Sequence, residues 1–336
     1  VTGNKAGFVE KAMKDKVVTA EHAGVWSDTE VSEPALVAGV YVIETEAELK
    51  WFASQINGGK TGLNAKLADH IQISGDKWYP IGSEAHPFAG TFDGNGKEIT
   101  FALKTDGKAY QGLFGYIEGK GTVKKLTVNG TLVLSGETTT AGIVAGYSEG
   151  KILNCISKGS VQATEGTQIG GITGSIGLHG RVERCRNEAS VSAKERAGGI
   201  AGVNSYGDTY YCSNKGLVSV SGNEAGGIVG STQNYAVITG CYNTAEVKGS
   251  MYVGGISGKV YVAAAPQACY STGKLTGTAY TAGAVGDLGG TDYITIVTGS
   301  FYDKTLPKDK TEKGVSLSDM KGGNFASVLN REAFEE

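Results

Sequence analysis

Gly199-Ile200-Ala201-Gly202 and Gly227-Ile228-Val229-Gly230 are copies of one phrase: a glycine, an aliphatic residue, a third residue and a closing glycine. It also reads Gly171-Ile172-Thr173-Gly174, Gly255-Ile256-Ser257-Gly258 and Gly283-Ala284-Val285-Gly286. Gly112-Leu113-Phe114-Gly115 and the longer Gly142-Ile143-Val144-Ala145-Gly146 precede these. The closing glycines are spaced by 31 and then by 28 five times. A fixed period of this size marks a stack of identical supersecondary units.

A second phrase runs in step with the first. Cys155, Cys185, Cys212, Cys241 and Cys269 hold one place in the repeat, and Ser300 continues it. Two residues on stand Ser157, Asn187, Asn214, Asn243 and Ser271, and six on stand Val161, Val191, Val218, Val247 and Leu275. Each unit thus holds three short apolar segments separated by small or turn-forming residues. Such a unit cannot bury its apolar side alone, whereas stacked units place like positions in ladders about 4.8 Å apart. Asparagine tolerates left-handed backbone and stacks its amides, which predicts a corner just after the cysteine. Helical arrays would need a 3.6-residue period and fewer glycines, and propeller blades would need about 40 residues. The expected fold is all-β: a parallel β-helix, or solenoid, of about seven coils of 28 residues.

The ends of such a stack need caps. Thr45-Glu46-Ala47-Glu48 has the form of a capping box, followed by Leu49, Phe52, Ala53 and Ile56 at helical spacing and stopped by Asn57-Gly58-Gly59. The division expected is an N-terminal extension over 1–40, a capping-helix segment over 41–62, the β-helix over 63–302, and a C-terminal segment over 303–336 made of a solvated connector over 303–314 and a second short helix from Ser316 to Asn330.

These phrases resemble the GLUG-repeat family of secreted and surface-anchored bacterial proteins. Gly112 to Gly115 match its signature closely, while later copies carry Ile for Leu. Trp78-Tyr79-Pro80-Ile81-Gly82 and Pro87-Phe88-Ala89-Gly90-Thr91-Phe92-Asp93-Gly94-Asn95-Gly96 resemble the opening coil of right-handed, pectin-lyase-like β-helices. The resemblance covers about residues 40–330. It implies a right-handed coil and an extracellular or cell-surface location. Similar repeats accompany some IgA-specific metallopeptidases, whose zinc site needs two histidines four residues apart. Here the histidines are His22, His70, His86 and His179, so that motif is absent.

Composition fits this picture. Glycine is 53 of 336 residues, about twice its usual share, with only 5 prolines and 40% apolar residues. Net charge is −3 and no basic block occurs, which argues against nucleic-acid binding. No apolar run is long enough to span a membrane. The chain opens on Val1, not Met, which fits a trimmed segment or a mature form without its signal peptide.

The cysteines show no Cys-x-x-Cys pairing, and their ladder spacing suits small buried hydrophobes better than disulfides. No metal ligand set, catalytic residue or cofactor is expected. Glu165, Glu195 and Glu224 lie 6, 4 and 3 residues before the glycine phrase and do not align, unlike the paired acids of a glycosidase. Arg181, Arg184, Arg186 and Arg196, mixed with Glu183, Glu188 and Glu195, read as a salt-bridged surface.

The aromatic residues are the candidate binding groups. Just after the cysteine column stand Tyr242, Tyr270 and Phe301 in the last coils. Tyr252 and Tyr280 lie three residues before the phrase, and Tyr206, Tyr235 and Tyr261 fall in the loop after it. Two readings stay open: cross-coil stacking that stabilises the sheet, or a stripe that packs against sugar rings or a partner. The leading expectation is a non-catalytic adhesion module for a polysaccharide, a glycoprotein or another extracellular protein. The alternatives are a polysaccharide-degrading β-helix enzyme and a structural stalk.

Overall fold

The computed structural model describes residues 26–27, 29–107, 110–136, 140–261, 265–288, 301–303 and 313–315. They form a parallel β-solenoid of about nine turns with one α-helix among them. The turn count exceeds the expected seven for a simple reason. The rungs Val40–Ile43, Asn64–Leu67 and Thr91–Asp93 already stack in parallel before the first Gly-x-x-Gly phrase begins. Counting phrases therefore undercounts coils.

Four sheets, of ten, fourteen, seven and seven strands, form the walls. Each full coil visits the ten-stranded sheet, the fourteen-stranded sheet, and then the two seven-stranded sheets on either side of the glycine phrase. Helix α1 (Glu46–Asn57) starts at Thr45, whose side chain and that of Glu48 form the expected capping box. Leu49, Phe52, Ala53 and Ile56 are fully buried, with the Phe52 ring 5.9 Å from Phe92 and 6.2 Å from Phe88. The helix caps an aromatic end of the core that also holds Phe101, Phe114 and Trp78, whose indole N–H donates to the Leu113 carbonyl at 3.0 Å. Before it, Ala35–Val37 pairs antiparallel with Val40–Ile43. Residues 316–330, expected as a second helix, lie outside the described residues. Within the expected connector over 303–314, Lys313 and Gly314 belong to a strand paired in parallel with Phe301–Asp303.

The repeat positions become inward ladders. Ile172, Ile200, Ile228 and Ile256 are fully buried, as are Cys155, Cys212, Cys241 and Cys269, with Cys185 at 1% exposure. All five cysteines are thiols. The backbone N–H of Cys155, Cys212 and Cys241 each meets the Sγ of the next coil at 3.3–3.4 Å. Burial pushes the Cys155, Cys212 and Cys269 thiols up, away from the reactive thiolate. Cys212→Ser is expected to cost about 1–2 kcal/mol in urea unfolding, because it sets a hydroxyl among apolar side chains. Thiol titration of the unfolded wild-type chain should count all five; a lower count would replace the ladder with disulfides.

The asparagines correct one expectation. They do not turn the corner. The left-handed residues precede the cysteine column instead: Lys125 before Leu126, and Asn154, Arg184, Tyr211, Gly240 and Ala268 before the cysteines. Asn187, Asn214 and Asn243 sit in strands at 0% exposure. Each amide donates to a carbonyl of its own coil and to the next coil, so that Ser157, Asn187, Asn214, Asn243 and Ser271 form one buried chain of hydrogen bonds. Buried amides are tolerated only when satisfied in this way.

Candidate functional site

The eight aromatic residues singled out in the sequence fall in different places. Tyr242 and Tyr270 pair in register on the fourteen-stranded sheet, and the strand of Phe301 pairs next to Tyr270. The two tyrosine rings are 5.1 Å apart and within 4° of parallel. Rungs stacked about 4.8 Å apart lay like rings face to face, so each ring covers a face of the other. This geometry fits the sheet-stabilising reading. Burial, then the neighbouring Tyr242, pushes the Tyr270 hydroxyl up.

Tyr252 and Tyr280 stand elsewhere, on the seam where the two seven-stranded sheets meet. One column on the first of these sheets reads, coil by coil, Tyr110, Thr140, Gln168, Arg196, Glu224, Tyr252, Tyr280. The facing column on the second reads Tyr116, Tyr147, Ser175, Val203, Ser231, Lys259, Asp287. The closing glycine brings the columns together. A Cβ on Gly258 would lie 2.7 Å from the Glu224 carbonyl carbon, and one on Gly286 2.7 Å from that of Tyr252. Over seven coils the seam runs about 29 Å.

Both ends of the seam are rich in tyrosine. At the C-terminal end the Tyr252 and Tyr280 rings are 5.1 Å apart, tilted by 31°, and Tyr280 is 59% exposed. Lys259 Nζ lies 4.1 Å from the Tyr252 ring centre and 4.9 Å from that of Tyr261, and 3.4 Å from Asp287. The Tyr261 hydroxyl donates to Glu224 Oε1 at 2.8 Å. Burial and this carboxylate push the Tyr261 hydroxyl up. Tyr206 and Tyr235, 48% and 67% exposed, follow strands of the second sheet. Tyr261 does not share their place, since its backbone N–H pairs with Thr232, one residue before Gln233.

At the N-terminal end Tyr110, Tyr116 and Tyr147 pack with ring centres 4.7–5.5 Å apart. The Tyr147 hydroxyl donates to Glu149 Oε1 at 3.2 Å. Burial first, then Glu149, pushes Tyr147 up to about 12 and Tyr116 higher still. The sequence reading missed this cluster. Tyr110 lies five residues before its closing glycine, whereas the column lies six before it from Thr140 onward, so counting back from the glycine puts Tyr110 out of step with Tyr252. Tyr116 and Tyr147 did carry a legible signal, since both directly follow a closing glycine.

Column one has a backbone signature as well. Arg196, Glu224, Tyr252 and Tyr280 are all left-handed, with φ of 45°, 68°, 57° and 49°. Glycine would adopt this geometry without the cost of roughly 1–2 kcal/mol that a side chain adds.

Arg181 and Arg184 pair with Glu183, and Arg186 with Glu188, on a surface separate from this column. Among the described residues no group of three or more His, Cys, Asp or Glu is placed to hold a metal ion, and no helix is long and apolar enough to cross a membrane.

No family model matches the chain. A protein of Evansella cellulosilytica named "Putative Gly-rich membrane protein" is 34% identical over 120 residues, a match that covers 34% of this chain and 14% of that protein. The chain thus spans a small part of that relative's length. The crystal structure of a "putative immunoglobulin A1 protease" from Bacteroides ovatus superposes over 90% of this chain and 88% of its own, with a TM-score of 0.60 and 19% identity. At that identity the likeness shows a shared β-helical architecture.

Proposed function

We propose that this protein is a non-catalytic, secreted or cell-surface binding module, and that the seam between its two seven-stranded sheets takes an extended polysaccharide or glycan chain. The repeats then read as GLUG-like units serving as a scaffold for that surface. The observation that carries the proposal is that tyrosine rings cluster at both ends of the seam, Tyr110 with Tyr116 and Tyr147 at one and Tyr252 with Tyr280 at the other. Aromatic faces pack on sugar rings while hydroxyls and amides meet sugar hydroxyls. The strained backbone supports it, since bulky side chains kept where glycine would cost less point to a use for them. Each acid of the seam has a partner within the protein, Glu149 in Tyr147, Glu224 Oε1 in Tyr261 and Asp287 in Lys259, which supports binding over hydrolysis.

The test is binding of the labelled chain to an array of plant, microbial and host glycans, with bound sugars checked by mass for cleavage. Tyr252→Ala with Tyr280→Ala should weaken binding about tenfold or more, and Tyr242→Ala with Tyr270→Ala should leave it unchanged. The reverse pattern would move the site to the fourteen-stranded sheet, and cleaved sugars would overturn the non-catalytic reading.

A further inference from the structure

The two ends of the seam differ in one respect. At the C-terminal end the chain supplies its own cation: the Lys259 ammonium lies over Tyr252 and Tyr261 beside the Asp287 carboxylate. The N-terminal end has rings in both columns, where the other end has rings in the first and Lys259 in the second, and a carboxylate, Glu149, at the place in the coil that Tyr261 holds at the other end. Among the described residues no lysine or arginine lies over Tyr110, Tyr116 or Tyr147. The rings present negative faces, and the carboxylate adds a formal charge beside them. An ammonium group placed there would gain both a cation–π contact and an ion pair.

We propose that Tyr110, Tyr116, Tyr147 and Glu149 form a subsite for the ammonium group of an amino sugar within the polymer that the seam binds. This rests on the seam being the glycan-binding surface. Lys259 shows the arrangement satisfied from within the same molecule. The geometry of the cluster is fixed by the fold, because the Tyr147 hydroxyl lies over Gly177 of the next coil, where a Cβ would meet it at 2.0 Å. An amino sugar is assigned over a lysine-bearing peptide because the subsite lies at one end of the seam proposed to take a glycan chain.

The experiment is calorimetric titration of the whole chain with glucosamine oligomers and with N-acetylglucosamine oligomers of the same length, at low and high salt. The glucosamine oligomer should bind about tenfold more tightly, with an advantage that falls with salt. Glu149→Gln keeps an acceptor for Tyr147 while removing the charge, and it should erase that advantage without changing the acetylated oligomer's affinity. Tyr116→Leu should weaken both oligomers and also shrink the glucosamine advantage, with its urea midpoint confirming an intact fold. Equal affinity for the two oligomers, or an unaltered advantage in Glu149→Gln, overturns the ammonium subsite. If the acetylated oligomer still binds and Tyr252→Ala with Tyr280→Ala weakens it, the seam stands and only the subsite falls. If neither oligomer binds, the subsite falls, and the glycan array then decides the seam separately. Displacement of the glucosamine oligomer by a lower concentration of a lysine-rich peptide overturns the sugar assignment in favour of a basic protein segment.

Discussion

Gly227→Ala is expected to cost about 3 kcal/mol of folding stability, seen as a lower urea midpoint, although it adds a single methyl group. The added Cβ would lie 2.1 Å from the Gly255 carbonyl oxygen of the next coil and 2.4 Å from Asn243 Cγ. The first contact is with backbone, which cannot rotate away, and the second is with a side chain held by four hydrogen bonds. Relief requires the rungs to separate, and each rung is tied to both neighbours. Gly171 and Gly199 meet the same neighbours at 2.2–2.5 Å, so the constraint repeats along the stack. Gly62→Ala is the control. Nothing lies within 4 Å of a Cβ there and its φ is not left-handed, so that variant should be neutral or slightly more stable. Equal midpoints for Gly227→Ala and wild type would show that the coils can spread at small cost.

Asn214→Ala should be as damaging for the opposite reason, since it removes atoms. The Asn214 amide donates to the Gly216 carbonyl at 3.0 Å and to Asn243 Oδ1 at 2.9 Å, and accepts from Asn187 at 2.7 Å and from the Gly216 N–H at 3.1 Å. All of these partners are buried. Truncation strands several at once, at roughly 1–3 kcal/mol for each group left unsatisfied, and a total of about 3–5 kcal/mol is expected. Asn214→Ser should cost less, because serines already end the ladder at Ser157 and Ser271 and a hydroxyl can accept from Asn187. Urea unfolding of the two variants measures the difference. If alanine and serine proved equally tolerated, the amide chain would be incidental to stability.

Much of the fold was legible because a solenoid writes its structure as a period. The closing glycines, the cysteines and the valines each occupy a fixed place in the repeat, and each became one inward column. The helix was legible from Thr45 and Glu48, because a capping box is a local motif that needs no tertiary partner. The asparagines were misplaced for a related reason. Asparagine suits both a left-handed corner and a buried amide ladder, and local propensity does not separate the two. The opening coils were undercounted because they pack on Phe88, Phe92 and Phe101 rather than on the Gly-Ile phrase.

The candidate site was legible only in pieces. Tyr252 and Tyr280 were paired by sequence, but so were Tyr242 and Tyr270, and spacing treats the two pairs alike. Where the period is regular, the sequence by itself determined which residues stack on which, because like positions one period apart meet across hydrogen-bonded rungs. Only the tertiary structure decided which stacks from different sheets face each other. The turn at each glycine phrase brings Lys259 over Tyr252 and Tyr116 beside Tyr110, and that angle depends on how closely two backbones can approach.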